Sequence, residues 1–228
     1  GSVAVGCNSV ADLSSDPDIN FYDRGNPDNQ SPIVDTGTNF NSTAIGNGAI
    51  AKEAGTSLGM NASSRNLGVA LGIQAKSENV AAVAIGPAAL AKGNTSLALG
   101  RQSAATADFA QAIGNVASAT GKGSLAVGHS ARAEGYRSIA IGSADIDGAQ
   151  GTGATQPGVK YQTNQQTLSK GLDSIAIGSG AIADATFGFG ASGTASTAIG
   201  KTAKAKGPNT LALGANSDAK NGTAVGSG

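Results

Sequence analysis

A five-residue pattern recurs fourteen times along this chain of 228 residues. It consists of a small residue, a variable residue, Ala, an apolar residue and Gly, as in Ser96–Gly100 (SLALG) and Ser138–Gly142 (SIAIG). From Gly72 to Gly142 the closing glycines follow one another at a constant interval of 14 residues. Repetition at a short, fixed period is typical of solenoids, in which each repeat forms one coil that stacks on its neighbours.

Each repeat holds two short runs in which residues alternate with a period of two. The pentad is the first run, and a second run of small, variable and small residues follows its glycine, as in Ala89–Ala91 and Ala131–Ala133. Such alternation predicts β-strands, and glycine every few residues argues against helices. Fourteen residues suffice for a coil of two strands and two tight turns, with glycine at the corners. The sequence therefore predicts an all-β solenoid of about 14 short coils.

The composition favours a narrow, regular architecture over a wide globular core. Of the 228 residues 35 are Gly, aromatic residues make up 4%, and Trp is absent. Large side chains, which fill ordinary cores, are therefore scarce. The formal net charge is zero, which gives no reason to expect nucleic acid as a partner. No apolar stretch approaches the length of about 18 residues that a membrane span requires. We expect neither nucleic acid binding nor membrane contact by this chain.

Both faces of the first strand are apolar or small. Pentad position three is Ala except at Ser57 and Gly188, and position four is always Ile, Leu, Val or Phe. Position two is apolar or Thr in every copy except Gln111. Strands of this kind are buried on both sides. A narrow coil covers only one side, so another copy of the chain is the simplest cover. A wider single-chain solenoid remains the alternative.

The position-four residues are the candidates for this core or inter-chain packing. The pattern leaves open whether they or the Ala residues face the second copy. The candidates are Ile45, Leu71, Ile85, Leu99, Ile113, Val127, Ile141, Ile177, Ile199 and Leu213.

The repeat resembles a known family. Asn41–Gly46 (NSTAIG) followed by Ala49, and Ser174–Gly178 (SIAIG) followed by Ala181, resemble the head repeats of trimeric autotransporter adhesins, the YadA-like left-handed parallel β-roll. The pentad Thr186–Gly190 (TFGFG) is degenerate. The resemblance implies a homotrimer on the bacterial cell surface, anchored in the outer membrane through regions outside this chain. It also implies attachment to extracellular matrix proteins, host cells or abiotic surfaces. The alternative is a non-binding spacer that projects another head.

Two segments interrupt the repeat within what we expect to be a single head domain, residues 1–228. Residues 7–41 and 143–173 are predicted to be loops that leave the rod, and loops of this kind often carry binding residues. The alternative is that they only brace the assembly. The candidate ligand contacts lie in these loops or in the variable slot of the second strand. They are Phe21, Tyr22, Arg24, Lys160 and Tyr161 in the loops, and Lys76, Arg132 and Lys204 on the rod.

The residues that could carry chemistry are too few for an enzyme. His129 is the only histidine and Cys7 the only cysteine, so neither a catalytic triad nor a zinc site is indicated. The acidic stretch from Asp12 to Asp28 lacks the spacing of a calcium loop. The 14-residue period does not fit hexapeptide-repeat acyltransferases, and the scattered threonines do not fit ice-binding solenoids. We expect no catalytic residue, cofactor or metal, a solvated His129, and a Cys7 thiol packed near the trimer axis.

Overall fold

The chain folds into two parallel β-sheets that run the length of a roll. A computed structural model describes residues 1–12, 41–144, 166–186 and 195–226. One sheet has 13 strands and the other 12, and the described residues contain no helix. Every pairing between strands in these ranges is parallel, as in Ala84 with Ala98 and Leu90 with Ala104. The predicted all-β parallel solenoid is therefore confirmed.

The first sheet contains the pentad strands, each three residues long. In chain order they are β1 (Val3–Val5), β3 (Thr43–Ile45), β5 (Thr56–Leu58), β7 (Val69–Leu71), β9 (Val83–Ile85), β11 (Leu97–Leu99), β13 (Gln111–Ile113), β15 (Leu125–Val127), β17 (Ile139–Ile141), β19 (Ile175–Ile177), β21 (Thr197–Ile199), β23 (Leu211–Leu213) and β25 (Thr223–Val225).

The second sheet contains the strands that follow the pentads. They are β2 (Val10–Ala11), β4 (Ile50–Ala51), β6 (Ser63–Ser64), β8 (Lys76–Ser77), β10 (Leu90–Ala91), β12 (Ala104–Ala105), β14 (Ser118–Ala119), β16 (Arg132–Ala133), β18 (Leu168–Lys170), β20 (Ile182–Asp184), β22 (Lys204–Lys206) and β24 (Asp218–Lys220). Successive strands within each sheet are about 4.8 Å apart, which makes the roll roughly 58 Å long.

Among the described residues, the first sheet has one strand fewer than the chain has pentads. Strand β19 pairs directly with β21, with Ile175 opposite Thr197, so no pentad strand lies between them. Of the degenerate pentad 186–190, residues 187–190 lie outside the described residues. The first sheet therefore has 13 strands against 14 predicted, because the edge of β19 is already occupied by β21.

Part of each segment predicted to be a loop insertion belongs to the roll. Strand β2 lies within 7–41 and pairs with β4, and β18 lies within 143–173 and pairs with β16 and β20. Thr167 and Ser169 are buried in the roll, whereas Lys170 is exposed. The sequence signal failed here because 167–171 (TLSKG) lacks the alanines that mark other second strands. The rest of the two predicted loops, residues 13–40 and 145–165, lies outside the described residues.

The interior of the roll is filled almost entirely by Ala and Ser. Every fully buried hydrophobic residue in the described ranges is Ala, and no side chain larger than Thr is fully buried there. Pentad position three supplies Ala84, Ala98 and Ala112 from one sheet, and the second strand supplies Ala91 and Ala105 from the other. The two sheets therefore lie close together, and every larger aliphatic side chain is left on the outside.

Candidate interaction surfaces

The outer side of the first sheet is a continuous apolar surface, which we call the apolar face. Pentad positions two and four both point outward, since the alanine between them points inward. Ile45, Leu99 and Leu213 are 38%, 39% and 41% exposed although they are large aliphatic strand residues. The position-two column is Val3, Thr43, Thr56, Val69, Val83, Leu97, Gln111, Leu125, Ile139, Ile175, Thr197, Leu211 and Thr223, and the position-four column is Val5, Ile45, Leu58, Leu71, Ile85, Leu99, Ile113, Val127, Ile141, Ile177, Ile199, Leu213 and Val225.

The structure shows which residues of the first strand point away from the interior of the roll. The ten predicted packing residues, Ile45 to Leu213, lie on the apolar face and not in the interior of the coil. The interior has no room for them because Ala and Ser from both sheets fill it. Any packing role for these residues therefore involves another molecule, and their place in a trimer stays a prediction.

The outer side of the second sheet carries the predicted contacts that the structure describes. Lys76 and Arg132 are exposed there, and Lys204 is half-buried. The predicted inward–outward alternation of this strand is confirmed, because Ser77, the inward neighbour of Lys76, is buried. The remaining candidates, Phe21, Tyr22, Arg24, Lys160 and Tyr161, lie outside the described residues.

Arg132 and Lys204 do not form a common site. Arg132 makes an ion pair with Glu134, with 2.5 Å between Nη2 and Oε1, and its Nη1 donates to Gln166 Oε1 at 3.4 Å. Lys204 lies on β22, several strands further along the second sheet than Arg132. Its neighbours in register are Ile182 on one side and Asp218 on the other. Each cation therefore lies beside an acidic residue of its own, which lowers the local positive charge.

Lys76 has cationic neighbours that the sequence reading did not identify. Arg65 and Lys92, with Glu78, line the same open groove of about 430 Å³ on the outer side of the second sheet. The sequence did contain a signal for these neighbours. The residue two positions after the variable slot of a second strand faces the same side of the sheet as the slot itself. Arg65 follows Ser63 in this way, and Lys92 follows Leu90. We call Arg65, Lys76, Glu78 and Lys92 the cation groove.

His129 belongs to a ladder of hydrogen bonds along one corner of the roll. Asn115 Nδ2 lies 3.1 Å from His129 Nδ1, and Arg101 Nε donates to Asn115 Oδ1 at 3.1 Å. The backbone N–H of His129 donates to Ser143 Oγ at 3.2 Å. The four residues occupy equivalent positions in successive coils, so the ladder ties coil to coil. Within the described ranges, no three His, Cys, Asp or Glu residues are grouped as metal ligands would be.

The opposite corner carries an acid with a perturbed pKa. Asp108 Oδ1 accepts from the backbone N–H of Asn94 at 3.0 Å and from Asn94 Nδ2 at 3.1 Å. Asp108 Oδ2 lies 3.6 Å from Lys122 Nζ. The backbone hydrogen bond is the main reason that the pKa of Asp108 is lowered, and the charge of Lys122 lowers it further. This cluster again joins successive coils.

These features define a class of protein: a parallel β-solenoid with an alanine-filled interior, ladders between coils, and one uncovered apolar sheet face. The chain belongs to the YadA head domain repeat family, whose pattern matches residues 38–62, 67–89, 91–117, 119–144, 169–188 and 191–217. The matched segments cover more than half of the chain. No curated protein matches the chain. Among the residues described, no helix is long and apolar enough to cross a membrane.

Proposed function

We propose that this chain is the head of a trimeric adhesin on the surface of a bacterium, and that three copies associate through their apolar faces. The observation that carries the proposal is the apolar face itself. Two columns of side chains about 7 Å apart on a roll of about 58 Å give a stripe on the order of 400 Å². A stripe of this size is comparable to the largest apolar patch of a typical soluble monomer, and such patches often mark interaction sites. Another molecule is therefore expected to cover it.

Identical copies are the simplest cover. Aliphatic residues form a regular column from Leu58 to Val225, so a partner with the same spacing of 4.8 Å per coil would match it coil by coil. Three copies that turn their first sheets toward a common axis form a closed ring and leave no apolar face bare. Membership of the YadA head repeat family supports this arrangement.

The adhesive role follows from what such an assembly displays. The second sheets would face outward, and every exposed residue on them would occur three times on one rigid rod. Three weak contacts made together bind far more strongly than one, without any tighter individual contact. We propose extracellular matrix proteins, host cells or abiotic surfaces as the targets. Lys76, Arg132 and Lys204, together with Phe21, Tyr22, Arg24, Lys160 and Tyr161, remain the proposed contacts.

Solution mass tests the assembly. The wild-type protein should have three times the mass of one 21.9 kDa chain in light scattering, with a β-rich circular dichroism spectrum. Leu99→Glu would place three carboxylates close together at the axis, and burying unpaired charges is costly. This variant should lose the trimer. Leu90→Glu on the second sheet is the matched control and should keep it. A folded wild-type monomer would refute the assembly.

Binding to immobilised collagen, laminin, fibronectin and bare plastic tests the adhesive role. The trimer should bind at least one of these surfaces, and Leu99→Glu should release much faster because it has lost avidity. A trimer that binds none of them would contradict adhesion and support the spacer alternative.

A further inference from the structure

The cation groove crosses three neighbouring strands of the second sheet. Arg65 follows β6, Lys76 begins β8 and Lys92 follows β10, and all three side chains are exposed. Because neighbouring strands are about 4.8 Å apart, Arg65 and Lys92 are attached to the backbone roughly 10 Å from each other. In register Glu78 lies between them, and Lys76 lies two residues before Glu78 on the same coil. The groove therefore presents three cations and one carboxylate within about 10 Å along the axis of the roll.

These cations have no anionic partner among the described residues. Elsewhere on the roll, Arg132 pairs with Glu134, Arg137 with Asp173 and Lys122 with Asp108. Glu78 lies in the groove but forms no ion pair, so the groove keeps an excess of two positive charges. Glu78 lies in register between Arg65 and Lys92 and offsets part of their charge. An anionic ligand would neutralise the excess that remains.

The described residues as a whole also carry more positive than negative charge. The described residues include 13 Lys and Arg but only 8 Asp and Glu, an excess of five positive charges. The formal net charge of the full sequence is zero, so the remaining residues carry the balancing negative charge. A basic surface attracts polyanions at long range and raises their rate of association.

The lining of the groove distinguishes among polyanions. The remaining polar groups are Ser63, Ser77 and Asn79, which can hydrogen-bond to sugar hydroxyls, and no aromatic residue lines the groove. Single-stranded nucleic acid is held largely by bases stacked on aromatic side chains, for which this groove offers no platform. A second hollow of about 530 Å³ shares Lys76 and Glu78 and extends toward Asn61 and Gln74. The two hollows together form a long, open track that is polar along the groove and bordered by Ala88, Ala89 and Leu90 in the second hollow, which gives space for a linear sugar chain.

We propose that the cation groove binds a sulfated polysaccharide, with sulfate groups on Arg65, Lys76 and Lys92. The proposal names a class of ligand for the proposed adhesive head. Only its role in adhesion rests on the proposed function. The groove lies on the second sheet, and the apolar face lies on the first. Binding in the groove therefore does not depend on the assembly, and the two proposals are tested separately.

The test is a titration of the whole chain with heparin, at several salt concentrations. The groove variant is Arg65→Gln with Lys76→Gln and Lys92→Gln. The matched control, Arg101→Gln with Lys122→Gln and Lys220→Gln, removes the same charge from exposed positions outside the groove. The groove variant should lose at least tenfold in affinity and show a weaker dependence on salt, because fewer counterions are released. The control should lose about twofold or less.

Glu78→Gln sharpens the test because it removes a carboxylate that repels sulfate. Its affinity for heparin should rise severalfold. Equal losses in the groove variant and its control would overturn the proposal, since binding would then reflect net charge alone. Single-stranded DNA that competes as well as heparin would also overturn it, in favour of a general polyanion surface. Light scattering on the same samples shows separately whether the trimer is present.

Discussion

Gly86 lies directly against Gly100 of the next coil. A Cβ atom added to Gly86 would come within 2.7 Å of both the carbonyl carbon and the carbonyl oxygen of Gly100. The backbone of Gly86 has φ of +124°, which residues with a side chain rarely adopt. The same arrangement recurs at the end of other pentads, for example between Gly46 and Gly59. These glycines therefore set how closely the coils stack.

Gly86→Ala should destabilise the roll strongly. The new methyl group meets backbone on the neighbouring coil, which cannot move without opening the ladder, and φ is strained as well. Backbone strain of this kind alone costs up to about 3 kcal/mol, and the clash adds to it. Gly123→Ala is the control, because φ there is +68° and the added Cβ would meet only Arg137 Cγ at 3.7 Å. It should cost roughly 1 kcal/mol. Thermal unfolding by circular dichroism measures both, and equal shifts would contradict this account.

Ala104 and Ala105 are neighbours in β12 but face opposite sides of the sheet. Ala105 is fully buried in the interior, and Ala104 points outward. Ala105→Leu should destabilise by about 3 kcal/mol or prevent folding, because a core already filled by Ala and Ser has no space for three more carbon atoms. Ala104→Leu should change the free energy of unfolding by less than about 0.5 kcal/mol. Denaturant unfolding compares the two variants.

A milder variant keeps this prediction testable if Ala105→Leu does not fold. Ser64 and Ser77 occupy the same interior column in neighbouring coils. Ala105→Ser should therefore fold. If Ala105→Leu were as stable as the wild type, the interior would be wider than the structure has it.

The fold could be predicted from the sequence because every coil repeats the same residue pattern. A single copy of Ser96–Gly100 would indicate little, but copies in phase predict both strands and the stacking direction. The sequence also predicted that one coil would leave an apolar face bare. It could not tell that Ile and Leu, not Ala, form that face, since period-two alternation fixes which residues share a side but not which side is inside.

The corner conformations could not be read from the repeat, and the cation groove was overlooked although its signal was present. Val116 and Phe109 have φ of +59° at the two corners of the roll, although such residues disfavour this region. The stacked coils on both sides impose the conformation, and local propensity does not. The cation groove depends on residues one coil apart, such as Arg65 and Lys76, whose proximity follows once the register is known.

Asp108 should titrate below the ordinary Asp pKa of 3.8. Since the pKa is lowered on folding, the ionised carboxylate stabilises the fold above that value, and the contribution is lost as the pH falls through the lowered pKa. Lys122→Gln should leave most of the shift, because the backbone N–H of Asn94 is its largest cause. NMR titration of the carboxyl carbon measures the pKa directly. A pKa that returned to 3.8 in Lys122→Gln would show instead that the ion pair dominates.

Ser96 and Ser124 occupy the first pentad position two coils apart but have different hydrogen bonding. Ser96 Oγ donates to the carbonyl oxygen of Gly93 at 2.7 Å. Ser124 Oγ is buried and has no hydrogen-bond partner among the described residues. A buried hydroxyl without a partner retains its desolvation cost, whereas a bonded hydroxyl stabilises the fold.

The two serines should therefore respond oppositely to the same substitution. Ser96→Ala should lower the free energy of unfolding by about 1 kcal/mol, because the hydrogen bond is lost and the Gly93 carbonyl loses a donor. Ser124→Ala should leave it unchanged or raise it by up to about 1 kcal/mol. Ala82 and Ala110 already occupy this position in other coils, so the backbone accepts alanine there. Denaturant unfolding of the two variants measures the difference, and equal losses would mean that Ser124 has a hydrogen-bond partner in solution.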